Sequence, residues 1–548
     1  MIIVSFAQFG YRGEIVKVEA DLRRGIPAID IVGLPDGAVR EARERMRAAI
    51  RNAALDFPRE RILINLSPAD LKKEGSAFDL PIALAVLNAA DPLSAVFSAE
   101  NGKNQEELMV LGELELSGAV RPVRGILSAV SRGLQRGIRW YMVPKQNVEE
   151  AQIRKEACVI GVESITEAAV QMKALRDRLS EPERSAEKPG REEPFAAQER
   201  ESYTIVFNPG KGYEDVRGQN RLIRALQIAA AGGHNLIAYG PPGCGKTLAL
   251  QRFPDLLPEM DEQTAVTVTR IHSLAGILDA EMERSERSSG SLLRRPPFRE
   301  PHQNASLEGM IGGGKHCRPG EISLSHGGVL FLDECTQFRS SVLQALRVPL
   351  ETGQVTISRA GKSDTFPSRF QLLLAVNPCP CGNFGTAGRI CTCTPDSIEK
   401  YWKKMTAPLL DRIDLRISVQ VPTPETLVRS PVISTVELKE EIAQARRIQW
   451  ERRKSNGGLE GKTEESGSWQ NAHMEGRDIQ NFCVLKEDMQ ALFSQSMRAA
   501  RLSARGGHGV LKVARTIADL EGERDIGEDH IMEAVQFRRW SAAVPDFL

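Results

Sequence analysis

Over residues 1–22 (MIIVSFAQFGYRGEIVKVEADL) apolar and polar positions alternate, which predicts strand and lacks the basic-then-apolar order of a secretory leader. RILINLSPADL (61–71) predicts a strand entering a turn. DLPIALAVLNAA (79–90) is apolar on all sides and predicts a buried helix, with Pro81 tolerable in its first turn. LMVLGELELSGAVRPV (108–123) predicts a hairpin turning near Ser117-Gly118. The pattern then lapses: residues 173–203 are charged, contain proline and are poor in large apolar side chains, the signature of a flexible linker.

Beyond the linker, Leu222, Ala225, Leu226 and Ala229 share one helix face, and Gly232-Gly233 ends that helix. Strands and helices alternate from there to about residue 425, which predicts a largely parallel α/β sheet. A helical region occupies 435–548, interrupted by the polar, loose SNGGLEGKTEESGSWQN (455–471). The expected organisation is an α/β multidomain chain: a first domain at 1–172, a linker at 173–204, an α/β core at 205–432 and a helical lid at 433–548.

The length of 548 residues is too great for one core. Acidic and basic residues balance at 72 each, which argues against a globally basic nucleic-acid coat and leaves room for local basic patches. No apolar run approaches a membrane span, so no membrane partner is expected, and the nine cysteines suit a cytoplasmic location where thiols stay reduced. Cys158, Cys244, Cys317, Cys335 and Cys483 are scattered and read as small buried or loop residues. The other four are clustered.

The chemistry starts at GPPGCGKT. Gly240, Pro241, Pro242, Gly243, Cys244 and Gly245 form a loop whose backbone N–H groups can cradle phosphates after the apolar run 234–239, Lys246 can reach the β/γ-phosphates, and the Thr247 hydroxyl can hold Mg²⁺. In GGVLFLDE (327–334) an apolar strand ends in two carboxylates, Asp333 for Mg²⁺ through its water shell and Glu334 to orient and deprotonate the attacking water. FQLLLAVN (370–377) ends in Asn377, placed to sense the γ-phosphate or the water. Arg412 in PLLDRIDLR (408–416) has two readings, a surface ion-pair network with Asp411 and Asp414 or an arginine finger offered to a neighbouring subunit.

CPCGNFGTAGRICTC pairs Cys379 with Cys381 and Cys391 with Cys393 across a glycine-rich loop. Four soft ligands suit a structural Zn²⁺, although each pair is tighter than the usual C-x₂₋₄-C spacing; a reduced-thiol loop beside Asn377 is the alternative, and Arg389, Lys403 and Lys404 allow nucleic-acid contact. In GGGKHCRPG (312–320), Lys315, His316 and Arg318 sit on a glycine-hinged loop that could line a channel for a phosphate backbone or lie solvated on the surface.

GLPDGAVREARERMRAAIRN (33–52), LSPADLKKEG (66–75), GPPGCGKT, RPGEISLSHGGVLFLDE (318–334), NPCPCG (377–382), LLDRIDL and KVARTIADLEG (512–522) together resemble the ComM/YifB family of magnesium-chelatase-like AAA+ ATPases over nearly the whole length. The resemblance implies ATP as the nucleotide and Arg412 as a trans-acting finger. It implies a homo-oligomeric ring, most simply a hexamer, and a motor that drives branch migration or unwinding of DNA, without sequence preference, in recombination during natural transformation. It also implies a sensor arginine from the lid, at Arg505 or, as second choice, Arg515. Gly506, Gly507 and Gly509 crowd the start of that lid helix, so a mobile hinge is expected at Arg505. EPHQNAS (300–306) stands where the family has paired histidines, and Val348 where it has Glu; neither is expected to touch the phosphate chemistry. The first domain resembles the S5-like proteolytic domain of Lon, but Ala77 falls at the nucleophile and Leu127 at the lysine, so peptidase activity is not expected. A metal-insertion motor and a protein-remodelling factor are the competing functions.

Overall fold

A computed structural model of the protein describes residues 1–73, 75–90, 106–180, 205–278, 292–314, 317–359, 362–386, 388–455 and 469–540. The chain forms two compact units, one made of Met1–Glu201 with Thr269–Leu293 and the other of Ser202–Val268 with Arg294–Leu548.

The first unit is a mixed seven-stranded sheet. Its strands are β1 (Ile2–Ala7), β2 (Glu14–Arg23), β3 (Ile29–Val32), β4 (Arg61–Ser67), β5 (Glu107–Val110), β6 (Trp140–Pro144) and β7 (Cys158–Val162), in the order β3-β4-β2-β1-β5-β6-β7. The period-2 pattern splits β1 between two cores. Ile3 and Ala7 pack with α1 (Gly37–Asn52), α2 (Asp79–Ala90) and α4 (Ile165–Ser180), whereas Val4 and Phe6 pack with α3 (Ile126–Arg136). Every residue of α2 from Asp79 to Val86 is buried, as its all-round apolar pattern requires. The hairpin expected near Ser117-Gly118 forms, pairing Glu113 with Arg121 and Leu114 with Val120.

The second unit is built on a five-stranded, all-parallel sheet of β8 (Leu236–Tyr239), β9 (Phe298–Arg299), β10 (Val329–Leu332), β13 (Gln371–Val376) and β14 (Leu415–Ser418), with a separate hairpin of β11 (Gln354–Arg359) and β12 (Lys362–Pro367). The order is β9-β10-β13-β8-β14, so the strand ending at Asn377 lies between the one entering the glycine loop and the one ending at Asp333. Leu222, Leu226 and Ala229 on α5 (Asn220–Gly232) share a core with α9 (Thr435–Ser455), α12 (Ala504–Leu520) and α13 (Glu528–Arg538).

Four sequence expectations change. α4 runs on to Ser180 with Leu175 and Arg176 buried, so helix replaces the first part of the linker; residues 181–204 lie outside the described residues. Residues 269–278, placed by sequence order in the α/β core, belong to the first unit, where Arg270 Nε donates to Ser128 Oγ at 2.8 Å; residues 279–291 lie outside the described residues. Residues 456–468 of the polar insertion lie outside the described residues, but its last residue, Asn471, is fully buried and donates to Thr516 Oγ1 at 3.0 Å and Asp519 Oδ2 at 2.8 Å. The glycines at the start of α12, where the sequence predicts a mobile hinge, lie inside a regular capped helix: Ser503 accepts from Gly506 N–H at 3.1 Å, and Gly506, Gly507 and Gly509 are buried.

Candidate nucleotide-binding site

A parallel sheet presents the C-terminal ends of its strands at one edge, and ligands collect there. The loop from Gly240 to Gly245 leaves β8 at that edge and opens α6 (Lys246–Gln251). Gly245 has φ +89°, a left-handed conformation that turns the chain into the helix without a side chain in the way. Lys246 is buried, and its ammonium donates to the carbonyls of Gly240 at 2.6 Å and Pro241 at 2.9 Å and to Asn377 Oδ1 at 3.4 Å. Burial pushes its pKa down from the ordinary value, against the opposing pull of Cys244, Asp333 and Glu334. A cation held this way gains most from an anionic ligand.

Thr247 Oγ1 donates to Asp333 Oδ2 at 3.1 Å. Two hard oxygen donors side by side at the phosphate end of the loop fit Mg²⁺, which keeps several waters and takes few protein ligands. Glu334 follows in the left-handed region at φ +48°, an unfavourable conformation for a residue with a Cβ. Gln303 Nε2 donates to Glu334 Oε2 at 2.7 Å, and Gln337 Nε2 donates to the same oxygen at 3.0 Å. Gln303, in the EPHQNAS departure expected to stay clear of the phosphate chemistry, thus touches the candidate base Glu334. The signal in the sequence was its place just after β9, the strand next to β10. Val348, by contrast, is exposed.

Arg412 precedes β14, which pairs in parallel with β8, so it lies at the sheet edge opposite the glycine loop of its own chain. It does not pair with its neighbouring aspartates. Asp414 accepts from His234 Nδ1 at 3.1 Å and lies 3.6 Å from Arg538 Nη1, whereas Arg412 Nη2 binds Glu351 Oε2. Arg505 Nη2, from the first turn of α12, takes the other oxygen of Glu351 at 2.9 Å. Both arginines line a cavity of ≈ 440 Å³ with Arg369, His508 and Lys512. Sequence reasoning did not single out Glu351, because nothing in the chain order joins it to Arg412 and Arg505.

Arg515 is elsewhere. It is buried within the lid, bound to Asp519 Oδ1 at 3.0 Å and to the carbonyls of Arg524 and Glu523, so its donors fasten the end of α12 and do not face the nucleotide loop. Arg318 is exposed on a two-residue ladder with Gly312-Gly313; Lys315 and His316 lie outside the described residues.

The four clustered cysteines come together as the spacing suggested. Cys379 Sγ lies 3.3 Å from Cys381 Sγ and 3.7 Å from Cys391 Sγ, Cys381 lies 3.6 Å from Cys391, and all four sulfurs, Cys393 included, fall within 4.8 Å of one another. Backbone N–H groups of Asn383 and Thr392 stabilise the Cys381 thiolate and bring its pKa down to about 6. In the first unit, Ala77 sits in a short turn and Leu127 is fully buried, so neither position offers a reacting atom.

Three family models match the chain: "Magnesium chelatase, subunit ChlI" over residues 212–427, "Subunit ChlI of Mg-chelatase" over 18–147 and "Magnesium chelatase, subunit ChlI C-terminal" over 433–538. Among similar proteins, YifB of Salmonella typhimurium is 36% identical over 539 residues, covering 98% of this chain and 96% of its own. The competence protein ComM of Haemophilus influenzae is 36% identical over 543 residues, covering 98% and 97%. Lon protease 2 of Bacillus subtilis is 29% identical over 157 residues, 28% of each chain. Among the described residues, no helix is long and apolar enough to cross a membrane.

Proposed function

The chain belongs to the ComM/YifB family of magnesium-chelatase-like AAA+ proteins, and from that premise we propose that it is an ATP-hydrolysing motor that assembles into a hexameric ring in the cytoplasm and drives migration of branched DNA. The observation that carries the ATPase is the convergence of Lys246, Thr247, Asp333, Glu334 and Asn377 at one edge of the sheet, joined by the Lys246–Asn377 and Thr247–Asp333 hydrogen bonds.

Lys246 exchanges its loop carbonyls for the β/γ-phosphates. Thr247 and Asp333 would hold Mg²⁺, which when bound would neutralise charge on the phosphates. Glu334 takes a proton from the attacking water once its carboxylate leaves Gln303 and Gln337, and Asn377 orients that water between Lys246 and the γ-phosphate. Arg412 completes the site of the next subunit, with Arg505 beside it; their shared position at the far edge of the sheet supports action in trans. A subunit alone thus lacks its finger, and hydrolysis depends on the ring.

Two observations favour DNA as the substrate moved. Arg318 is exposed beside a glycine-hinged loop that also carries Lys315 and His316 in sequence, and a relative matched end to end is a competence protein. Backbone phosphates suit that basic loop, and no base-reading motif accompanies it. The four cysteines hold zinc in this reading. A metal-insertion motor is the second reading, supported by the chelatase-subunit match over 212–427. DNA-stimulated hydrolysis separates the two. In the DNA reading ATP turnover rises with added forked or junction DNA, and Arg318→Ala blunts the rise; turnover indifferent to every DNA form removes it.

A further inference from the structure

Among its described residues the segment from Asn377 to Thr394 has no helix or strand, yet it carries the residue that meets Lys246. An irregular segment longer than about 15 residues needs some other constraint to hold one shape. Thiols cannot supply it, because S–H is a weak donor and sulfur a weak acceptor. The sulfur spacings of 3.3–3.7 Å exceed the roughly 2.05 Å of a disulfide, and all four cysteines are free. They approach the edge of a tetrahedron around zinc, about 3.8 Å for Zn–S near 2.3 Å. Phe384 N–H also points at Cys379 Sγ at 3.3 Å, an amide-to-sulfur contact of the kind that supports a bound thiolate.

The segment is in turn packed on the nucleotide loop. Gly382, at φ +79°, sits so close to Pro242 that an added Cβ would lie 2.6 Å from Pro242 Cδ, and a proline ring cannot swing aside. On its other flank Pro378 O accepts from Trp402 Nε1 at 2.9 Å, and Trp402 meets the ring of Tyr239, the last residue of β8, edge-on at 6.4 Å. The cluster therefore backs the phosphate-binding loop through Gly382–Pro242 and aims Asn377 at Lys246.

We propose that zinc bound by Cys379, Cys381, Cys391 and Cys393 braces the phosphate-binding loop, so that nucleotide affinity depends on zinc occupancy. The inference rests on the nucleotide-site reading above. It makes these thiols part of the ATP site's scaffold, and any loss of the metal a loss of nucleotide binding without any change to Lys246, Thr247 or Asp333.

The test is made on the full-length protein, with zinc measured by elemental analysis and binding by a fluorescent ATP analogue. Wild type should carry about one zinc per chain. Stripping it with a thiol-reactive mercurial and chelator, followed by reduction, should weaken nucleotide binding about tenfold or more, and added Zn²⁺ should restore it. Cys391→Ser should bind little zinc and match the stripped protein. Gly382→Ala should keep its zinc and still bind nucleotide more weakly, because it breaks the brace and leaves the ligands; far-ultraviolet circular dichroism checks that each protein is folded. Absence of zinc from wild type, even after Zn²⁺ addition, overturns the metal site. Zinc present with affinity unchanged on its removal overturns the brace. A wild-type protein that binds zinc but no nucleotide overturns the nucleotide-site reading, and the brace with it.

Discussion

Replacing Arg412 with alanine removes a guanidinium that sits on the wrong side of its own sheet to reach its own nucleotide. β8 is four residues deep, Leu236–Tyr239, and pairs with β14 from Leu236↔Leu415 onward. The glycine loop leaves at the C-terminal end and Arg412 enters before the N-terminal end, so the sheet alone separates them by about 13 Å. An arginine side chain spans roughly half that. Arg412→Ala should therefore leave nucleotide affinity within about twofold and lower ATP turnover by about 10³–10⁵, the effect of an arginine finger on phosphoryl transfer. The decisive assay mixes it with Lys246→Ala. Each variant is inactive alone, but an Arg412→Ala subunit has an intact nucleotide loop and a Lys246→Ala neighbour has an intact finger. Random mixing in equal amounts makes one interface in four competent, so turnover should recover to roughly a quarter of wild type in a closed ring. Normal hydrolysis by Arg412→Ala alone, or a mixture as dead as its parts, refutes the trans assignment.

Glu334→Gln should bind ATP with near-normal affinity and lose turnover by about 10²–10⁴ in a single-turnover assay, since the amide cannot take a proton. Asn471→Ala leaves Thr516 and Asp519 short of a donor inside the lid, and should cost about 2–3 kcal/mol; calorimetry should show the second unit melting roughly 3–5 °C lower. Asp414 should give an acid-sensitive contribution. Burial pushes its carboxyl up, but the His234 hydrogen bond and the charges of His234 and Arg538 outweigh that and hold it below its ordinary value of 3.8. A carboxyl lowered in the folded state stabilises fully above its unfolded pKa and loses that stability as pH falls through the folded value. Asp414→Asn should thus lower stability at neutral pH and flatten the acid limb of a stability-versus-pH series; an unchanged acid limb contradicts the pairing.

Much of the candidate nucleotide site was legible because each piece lies at a strand end that hydrophobic runs mark: Lys246 after 234–239, Asp333 and Glu334 after 327–332, Asn377 after 370–376. Their convergence needed only a parallel sheet. The residues that control them were hidden. Gln303 reaches Glu334 because β9 and β10 are neighbours, and Glu351 joins Arg412 to Arg505 from three separate segments. Composition misjudged two stretches. The charged 173–180 continues a helix, since Leu175 and the aliphatic part of Arg176 find a core, and Asn471 in a polar run is buried because its partners are polar too. Arg515 and Arg505 look alike in sequence, ten residues apart on one helix; only packing shows that one fastens the lid and the other faces the cavity.

The most direct test of the motor is migration of a mobile four-way DNA junction in the presence of ATP and Mg²⁺, with Lys246→Ala as the control. Strand movement by wild type with ATP, none without it, and none by Lys246→Ala is the expected result. Brisk ATP hydrolysis with no movement of junction, fork or duplex strands would contradict the DNA motor, whatever the nucleotide site proves to do.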